Sequence, residues 1–343
     1  MKKVLLYITL PLILAGCIEE DNFGNTPNGN FEALWKVIDE RYCFFPQAEE
    51  EFGLNWDAVH DKYAPLANSC ESDALLFDIL GEMVAELRDG HVNLSSIYGT
   101  SIYWDWKLDH PLNFSDSIQR NYLGTEFRVT NGIKYRALPD SIGYMYVESF
   151  AGGFNSDNLS MMLINLKETK GIILDIRNNG GGMLTAAEKL ASAFTKEKIH
   201  CGYIRHKTGK GHHDFSKPEK LYLEPSKGAI WLRPVVVLTN RGVYSAANYF
   251  VMMMRELPHV TILGDKTGGG SGMPLSNTLP NGWNIRFSAC PILDAQGNHT
   301  EFGIEPDVKV DISSEDWNQG RDTMIEKAKE LIFDYYKNLS DKE

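Results

Sequence analysis

Where a buried strand gives way to a helix, a serine can serve as a nucleophile. The stretch Thr239-Asn240-Arg241-Gly242-Val243-Tyr244-Ser245-Ala246-Ala247-Asn248 places Ser245 at such a junction. A hydroxyl there is exposed, and the N–H of Ala246 points toward whatever is bonded to it, which is half of an oxyanion hole. The same position also suits an ordinary helix N-cap, for which Ser is among the commonest residues. A second junction is Gly180-Gly181-Gly182, which follows the apolar run Gly171–Arg177. Glycines there let the backbone turn tightly and present N–H groups to an anion, although a plain turn has the same composition. A serine nucleophile needs a base, most often His. Of the nine His, His91 closes the N-terminal helical segment behind Asp89-Gly90, a turn pair that breaks the helix and projects the next residue. His212-His213-Asp214 lies in a Lys- and Gly-rich stretch and reads as a solvated loop rather than a metal site.

The elements that must carry these residues follow from periodicity. Phe31, Leu34, Trp35, Val37, Ile38 and Tyr42 recur at helical spacing, as do Leu75, Leu76, Ile79, Leu80, Met83, Val84 and Leu87. Residues 31–94 are therefore a helical N-terminal subdomain, with Ser72 or Asp73 capping its second helix. From residue 142 the pattern is α/β. Strands are expected at 142–147, 171–177, 234–239 and 260–264, with helices at 160–169, 184–195 and 245–257 between them. Continuous apolar strands alternating with helices imply crossover units and a largely parallel sheet covered on both faces. Pro280-Asn281-Gly282 reads as a hairpin turn, and 318–343 as a C-terminal helix. The 95–141 segment connects the α/β domain at 142–317 to the helical half. Its Tyr103-Trp104-Asp105-Trp106 cluster is assigned to packing ahead of a groove wall.

Composition narrows the function. The 343 residues are 43% hydrophobic and 23% charged, which excludes disorder, collagen and coiled coil. A net charge of −12 argues against nucleic acid as the main partner. The sequence opens with Met1-Lys2-Lys3 and an apolar run, Val4 to Ala15, too short to span a bilayer and proportioned as a secretory signal. Leu14-Ala15-Gly16-Cys17 resembles the lipobox of bacterial lipoproteins. That resemblance implies cleavage of residues 1–16, lipid on Cys17 and a place in the cell envelope, anchored to the outer membrane. Residues 17–30, rich in Gly, Asn and Pro behind Glu19-Glu20-Asp21, read as a flexible tether. The remaining Cys43, Cys70, Cys201 and Cys290 permit disulfides in an exported protein, with Cys43–Cys70 the favoured pair.

Taken together, these motifs resemble the C-terminal processing and tricorn-like serine peptidases. Asp175-Ile176-Arg177-Asn178-Asn179-Gly180-Gly181-Gly182 is similar to the family's D-x-R-x-N-G-G signature, and Thr239 through Ala247 to its nucleophile segment. Gly264-Asp265-Lys266-Thr267-Gly268-Gly269 resembles the loop that follows, and Gly303-Ile304-Glu305-Pro306-Asp307 the G-[IV]-x-P-D segment. The resemblance implies a crotonase/ClpP-like ββα core and hydrolysis of peptide bonds through an acyl-enzyme. In that reading Ser245 attacks, His91 is the base, and Ala246 with Gly181 or Gly182 holds the oxyanion. Members with a Ser–Lys dyad carry Lys where this sequence has Gly270, while Lys266 is out of register, so the His-bearing tricorn-like branch fits better. Those members orient the His through a Ser just before it and a Glu near the G-[IV]-x-P-D segment. Here Gly90 stands at the first place and Thr300 at the second, leaving Glu301 as the expected orienting residue and Glu305 as the next choice. The stretch from His91 to Ile142 is too short for a full PDZ domain with linkers. No metal or organic cofactor is implied, and the expected partner is a peptide or unfolded protein. An unperturbed His91 would make activity decline below about pH 6.5. Two rival readings share the fold: a silent peptide- or lipid-binding lipoprotein, and an acyl-CoA enzyme of crotonase type that needs no nucleophilic Ser.

Overall fold

The structure, a computed structural model, describes residues 23–108 and 110–340. The expected signal segment, Cys17 and the first part of the tether lie outside the described residues. Helix α1 (Pro27–Arg41) begins earlier than the tether expectation of residue 30 allows. Thr26 Oγ1 accepts the Gly29 N–H at 3.0 Å, and Pro27 occupies the first turn, where its missing N–H is no loss. Pro and Gly, which read as breakers in sequence, are here part of a helix start.

Helices α2 (Phe45–Phe52), α3 (Trp56–Asn68) and α4 (Asp73–Ala85) complete the N-terminal bundle. Ser72 caps α4 by accepting the Leu75 N–H at 3.3 Å. Strands β1 (Asn93–Ser96) and β2 (Gly99–Ile102) form a hairpin, followed by α5 (Asp116–Leu123), β3 (Arg128–Thr130), β4 (Ile133–Ala137) and β5 (Gly143–Val147). Then come α6 (Ser156–Asn165), β6 (Ile172–Asp175), α7 (Leu184–Ala191), β7 (Ile199–Ile204), β8 (Glu219–Leu223), β9 (Val235–Thr239) and α8 (Ala246–Met254). The last elements are β10 (Val260–Gly264), β11 (Gly272–Thr278), β12 (Asn284–Asp294), β13 (Val308–Lys309), α9 (Ser314–Asn318) and α10 (Thr323–Ser340).

The main sheet runs β13-β10-β9-β6-β5-β4-β3. The five strands from β13 to β5 are parallel, as the continuous apolar runs predict, whereas β4 and β3 add antiparallel at the other edge. The segment before residue 142 is therefore more than a connector. Ile133 and Tyr135 bury alternate side chains in the core, which makes β4 a true member of the sheet. One face of the sheet is covered by α6, α7 and α8, and the other by α10, whose Met324, Ile325, Ala328 and Ile332 are buried.

A second sheet, β2-β1-β12-β7-β8 with β11 also on β12, joins the two halves of the protein. Leu94 of β1 pairs with Ile285 of β12, and both are buried among Phe31, Leu34 and Leu80 of the helical bundle. The turn carrying His91 is thus fixed by a strand pairing to the far half of the sequence. The four cysteines are free, so the expected Cys43–Cys70 bridge does not form. Cys43 is buried in the apolar core beside Tyr42 and Phe44 and behaves as a small hydrophobe there.

Candidate active site

Strand β9 is buried throughout and leads into the turn at residues 240–244. Asn240 shapes that turn. Its Oδ1 accepts the N–H groups of Asn178 at 2.9 Å and Gly242 at 3.1 Å, and its Nδ2 donates to the Leu112 carbonyl at 2.9 Å. One amide side chain thereby ties together the loops after β6 and β9 and the 104–112 segment. Tyr244 N–H donates to the Asn179 carbonyl at 3.0 Å, and Ser245 N–H to the Gly269 carbonyl at 2.8 Å.

Ser245 sits at the N-cap position of α8 but does not cap it. Its φ is 57° and ψ −123°, a positive-φ conformation costly for a residue with a Cβ. The hydroxyl instead meets His91, with Oγ 3.0 Å from Nε2. The sequence leaves a cap and a nucleophile as alternatives, and the geometry is that of a strained strand-to-helix elbow. Helix α8 is buried along its whole length, which holds the elbow rigid.

His91 is buried, and burial lowers its pKa from the ordinary 6.5, aided by the nearby Arg286 charge and opposed by Asp89. The ring is neutral near pH 7 and able to accept a proton. Its other nitrogen, Nδ1, has no protein hydrogen-bond partner among the described residues. The ring packs on Tyr244, with centroids 4.9 Å apart, and Tyr244 stacks on Trp106 at 4.5 Å.

The expected orienting residues are elsewhere engaged. Glu301 is buried, and its Oε2 accepts the N–H and hydroxyl of Ser271 at 2.6 and 3.2 Å. Burial and the Asp89 charge push its pKa well above the carboxylate range, against the opposing bonds from Ser271. Glu305 is exposed and pairs with Lys266 at 3.3 Å, which also takes Lys266 out of the site. The acid nearest in role is Asp89, which the sequence marks only as a turn residue. Its Oδ1 accepts the His91 backbone N–H at 2.7 Å and the Tyr244 hydroxyl at 3.4 Å, and its Oδ2 accepts the Ser288 hydroxyl at 2.7 Å. The available signal is spacing: an Asp two residues before His91 reaches its backbone N–H in an Asx turn. Gly90, standing where the resemblance leads one to expect Ser, has a steric reason. A Cβ there would come within 2.8 Å of Trp106 Nε1 and 3.0 Å of the Tyr244 hydroxyl.

Of the two glycines expected at the oxyanion, Gly181 already donates its N–H to Asn179 Oδ1 at 2.9 Å. Gly182 bridges Phe150 in parallel register, with Phe150 N–H bonded to the Gly181 carbonyl and Met183 N–H to the Phe150 carbonyl. That register turns the Gly182 N–H away from Phe150, and Gly182 lines both cavities that reach Ser245. Neither Gly182 nor Ala246 spends its N–H on a backbone acceptor among the described residues. Gly270, which replaces the dyad lysine, has φ 77° and lies against the Tyr244 ring, where a Cβ would collide.

The Asp175-Ile176-Arg177 motif is architectural in this structure. Arg177 is fully buried; its Nη2 is 2.6 Å from Asp175 Oδ2 and its Nη1 2.8 Å from Asp322 Oδ2. Burial opposes its charge, but the two carboxylates hold its pKa above the ordinary value. Asp322 in turn accepts the N–H groups of Met324 and Ile325, so Arg177 pins the start of α10 to the sheet. Asp307 accepts the Ile262 N–H at 2.8 Å and fixes β10.

Trp104, assigned to packing, is 48% exposed and lines the cavity that contains His91 and Ser245 as a groove wall, whereas Trp106 both lines that cavity and packs on Tyr244 as expected. His212 docks on α1 instead of standing free in solvent, 2.8 Å from Asp39 and stacked on Phe45 at 4.0 Å.

Residues 141–310 match the model of peptidase family S41, and residues 23–85 that of the Tricorn protease C1 domain. The carboxy-terminal processing protease CtpA of Bacillus subtilis is 27% identical over 147 residues, covering 43% of this protein and 30% of that one. The alignments span about a third of the length of such curated relatives. The crystal structure of a candidate peptidase from Parabacteroides merdae shares 51% identity, with a TM-score of 0.85 over 90% of this protein and 97% of that one. Mature CPAF, at 11% identity and a TM-score of 0.68 over 90% of this protein and 96% of that one, shares the fold.

Proposed function

The protein belongs to peptidase family S41, serine peptidases of the carboxyl-terminal processing type, and from that premise we propose that it cleaves peptides through a Ser245–His91 pair. The observation that carries this reading is the 3.0 Å approach of Ser245 Oγ to His91 Nε2 at a strained strand-to-helix elbow. His91 takes the hydroxyl proton as Oγ attacks the scissile carbonyl. The tetrahedral oxyanion is held by the N–H groups of Ala246 and Gly182. The imidazolium then gives its proton to the leaving amine, and water, activated by the same ring, releases the acyl group.

Asp89 acts through His91 as a positioning residue. It fixes the His91 backbone and supplies the negative charge that favours the imidazolium. Glu301, whose carboxyl burial shifts toward the neutral form, buttresses the Ser271 loop. The substrate is a peptide or unfolded protein. Lipid attachment at Cys17, supported by the sequence from Val4 to Cys17 alone, would hold the enzyme at the envelope membrane. A binding-only role is not favoured, because a hydroxyl and a basic imidazole meet here with unspent N–H donors beside them. Cleavage of a casein-type unfolded substrate by the wild type, and its loss in both Ser245→Ala and His91→Ala, tests the reading. Unchanged cleavage by either variant overturns it.

A further inference from the structure

Two cavities meet at Ser245 and differ in character. The smaller, about 220 Å³, is walled by Leu184, Tyr249, Met252, Met273 and Ile292. The larger, about 740 Å³, contains His91 and is edged by Trp104, Lys107, His110, Arg241 and Arg286. Gly182, Ser245 and Arg286 line both. Among the described residues that line the larger cavity there is no Asp or Glu, although the protein as a whole has a net charge of −12.

Two of the three Lys and Arg side chains there, Lys107 and Arg286, have no carboxylate partner among the described residues. Arg286 Nη1 donates to the Asn93 amide oxygen at 3.3 Å, and no carboxylate pairs with Arg286 among the described residues. Lys107 Nζ lies 4.2 Å from the Trp104 ring centroid, again without a carboxylate partner among the described residues. Arg241 is 3.7 Å from Asp265, and its Nε makes no hydrogen bond to the described residues. Strand β12 fixes Arg286 opposite Asn93, two residues from His91, so this charge stands beside the reacting groups. Guanidinium and ammonium groups that, like those of Arg286 and Lys107, meet no carboxylate among the described residues and face a partly enclosed groove attract anions and bind carboxylates by charge-assisted hydrogen bonds.

On the reading of Ser245 and His91 as the reacting pair, we propose that the substrate is a peptide with a Leu-, Met- or Phe-like side chain in the apolar cavity and a carboxylate in the cationic groove, held by Arg286 and Lys107. An Asp or Glu side chain and a free peptide C-terminus offer the same carboxylate chemistry.

Quenched fluorescent peptides with a central Leu, flanked on either side by Glu, Gln or Lys and ending in an amide or a free acid, separate these sources. Glu peptides ending in an amide keep the advantage if side chains are read. Only free-acid peptides show it if the peptide end is read. In either case the expected gain over the Gln amide peptide is about tenfold in kcat/KM. The gain shrinks at high salt and falls in Arg286→Gln and, as a second variant at an exposed position, Lys107→Gln. Binding of the same peptides to Ser245→Ala by fluorescence anisotropy extends the test to a protein without turnover. The expected order is carboxylate-bearing peptides first, Gln amide peptides next and Lys peptides last. Equal binding of all peptides, or cleavage rates within twofold of one another, overturns the groove assignment and leaves the Ser245 reading standing. Retained carboxylate preference in binding with no cleavage by the wild type supports the groove and counts against the catalytic pair.

Discussion

Strands β6 and β9 are parallel neighbours in one sheet, and each ends by turning into a helix-bearing loop, yet the two ends are finished in opposite ways. At β6, Asp175 accepts the Tyr144 hydroxyl at 2.7 Å and three N–H groups of Arg177, two from its guanidinium and one from its backbone. The remaining Arg177 nitrogen reaches Asp322 and the Asn113 carbonyl. Each of these buried charges has its partners. At β9, the Ser245 backbone is strained, its hydroxyl faces His91, and the Ala246 N–H has no backbone acceptor among the described residues. Saturation at the first end secures the architecture, and unspent donors at the second leave room for an anion. Neighbouring motifs of one family can therefore have opposite duties.

The sharpest way to break this contrast is to remove the Ser245 hydroxyl. Ser245→Ala should lower kcat by roughly 10⁶ if the pair works as a unit, with the melting temperature unchanged or raised as the polar group leaves a strained site. His91→Ala should cost about as much in kcat, again with the fold retained by circular dichroism. At the other strand end the effect should fall on stability. Arg177→Met leaves Asp175 and Asp322 buried without their cation, and urea unfolding should show a loss of about 3–5 kcal/mol. Equal stability in that variant would mean the network does not hold α10.

Smaller effects concern the two buried acids. Asp89 raises the His91 pKa, so Asp89→Asn should move the acid limb of the kcat/KM profile to lower pH and reduce the neutral-pH rate roughly tenfold for each ~1.4 kcal/mol of imidazolium stabilisation lost. In the wild type that limb should already lie below 6.5, because burial favours the neutral ring and protonation removes the base. The decline expected at 6.5 from sequence is thus displaced downward. Glu301→Gln should change least. Burial and the Asp89 charge push its carboxyl toward the neutral form, and an amide oxygen can still accept from Ser271, so rate and profile should stay near wild type. A shift of the acid limb in Glu301→Gln larger than that in Asp89→Asn would reverse their assigned roles.

Much of this is legible in the sequence because it depends on local patterns. The apolar runs of β6, β9 and β10 mark a sheet covered on both faces, and the Ser245 turn announces itself by position between strand and helix. His91 is legible as a projected turn residue, although what places it beside Ser245 is the distant pairing of β1 with β12. The orienting acid escapes a sequence reading for the same reason. Register along the sequence falls on Thr300 and leaves Glu301 beside it as the choice, but three-dimensional packing turns the Glu301 side chain to Ser271 and leaves Asp89 against the His91 backbone. Trp104 and Trp106 are ambiguous, since aromatic composition does not distinguish a core from a groove wall. The start of α1 is hidden because Pro27 and Gly29 are breakers inside a helix but harmless in its first turn.

The central claim, that Ser245 is activated by His91, is tested most directly by intact-mass spectrometry after exposure to a fluorophosphonate. The account predicts one covalent adduct on wild-type protein, mapped to Ser245, none on Ser245→Ala, and labelling of His91→Ala slowed by orders of magnitude. No adduct on the folded wild type, or the same labelling rate without His91, would contradict it.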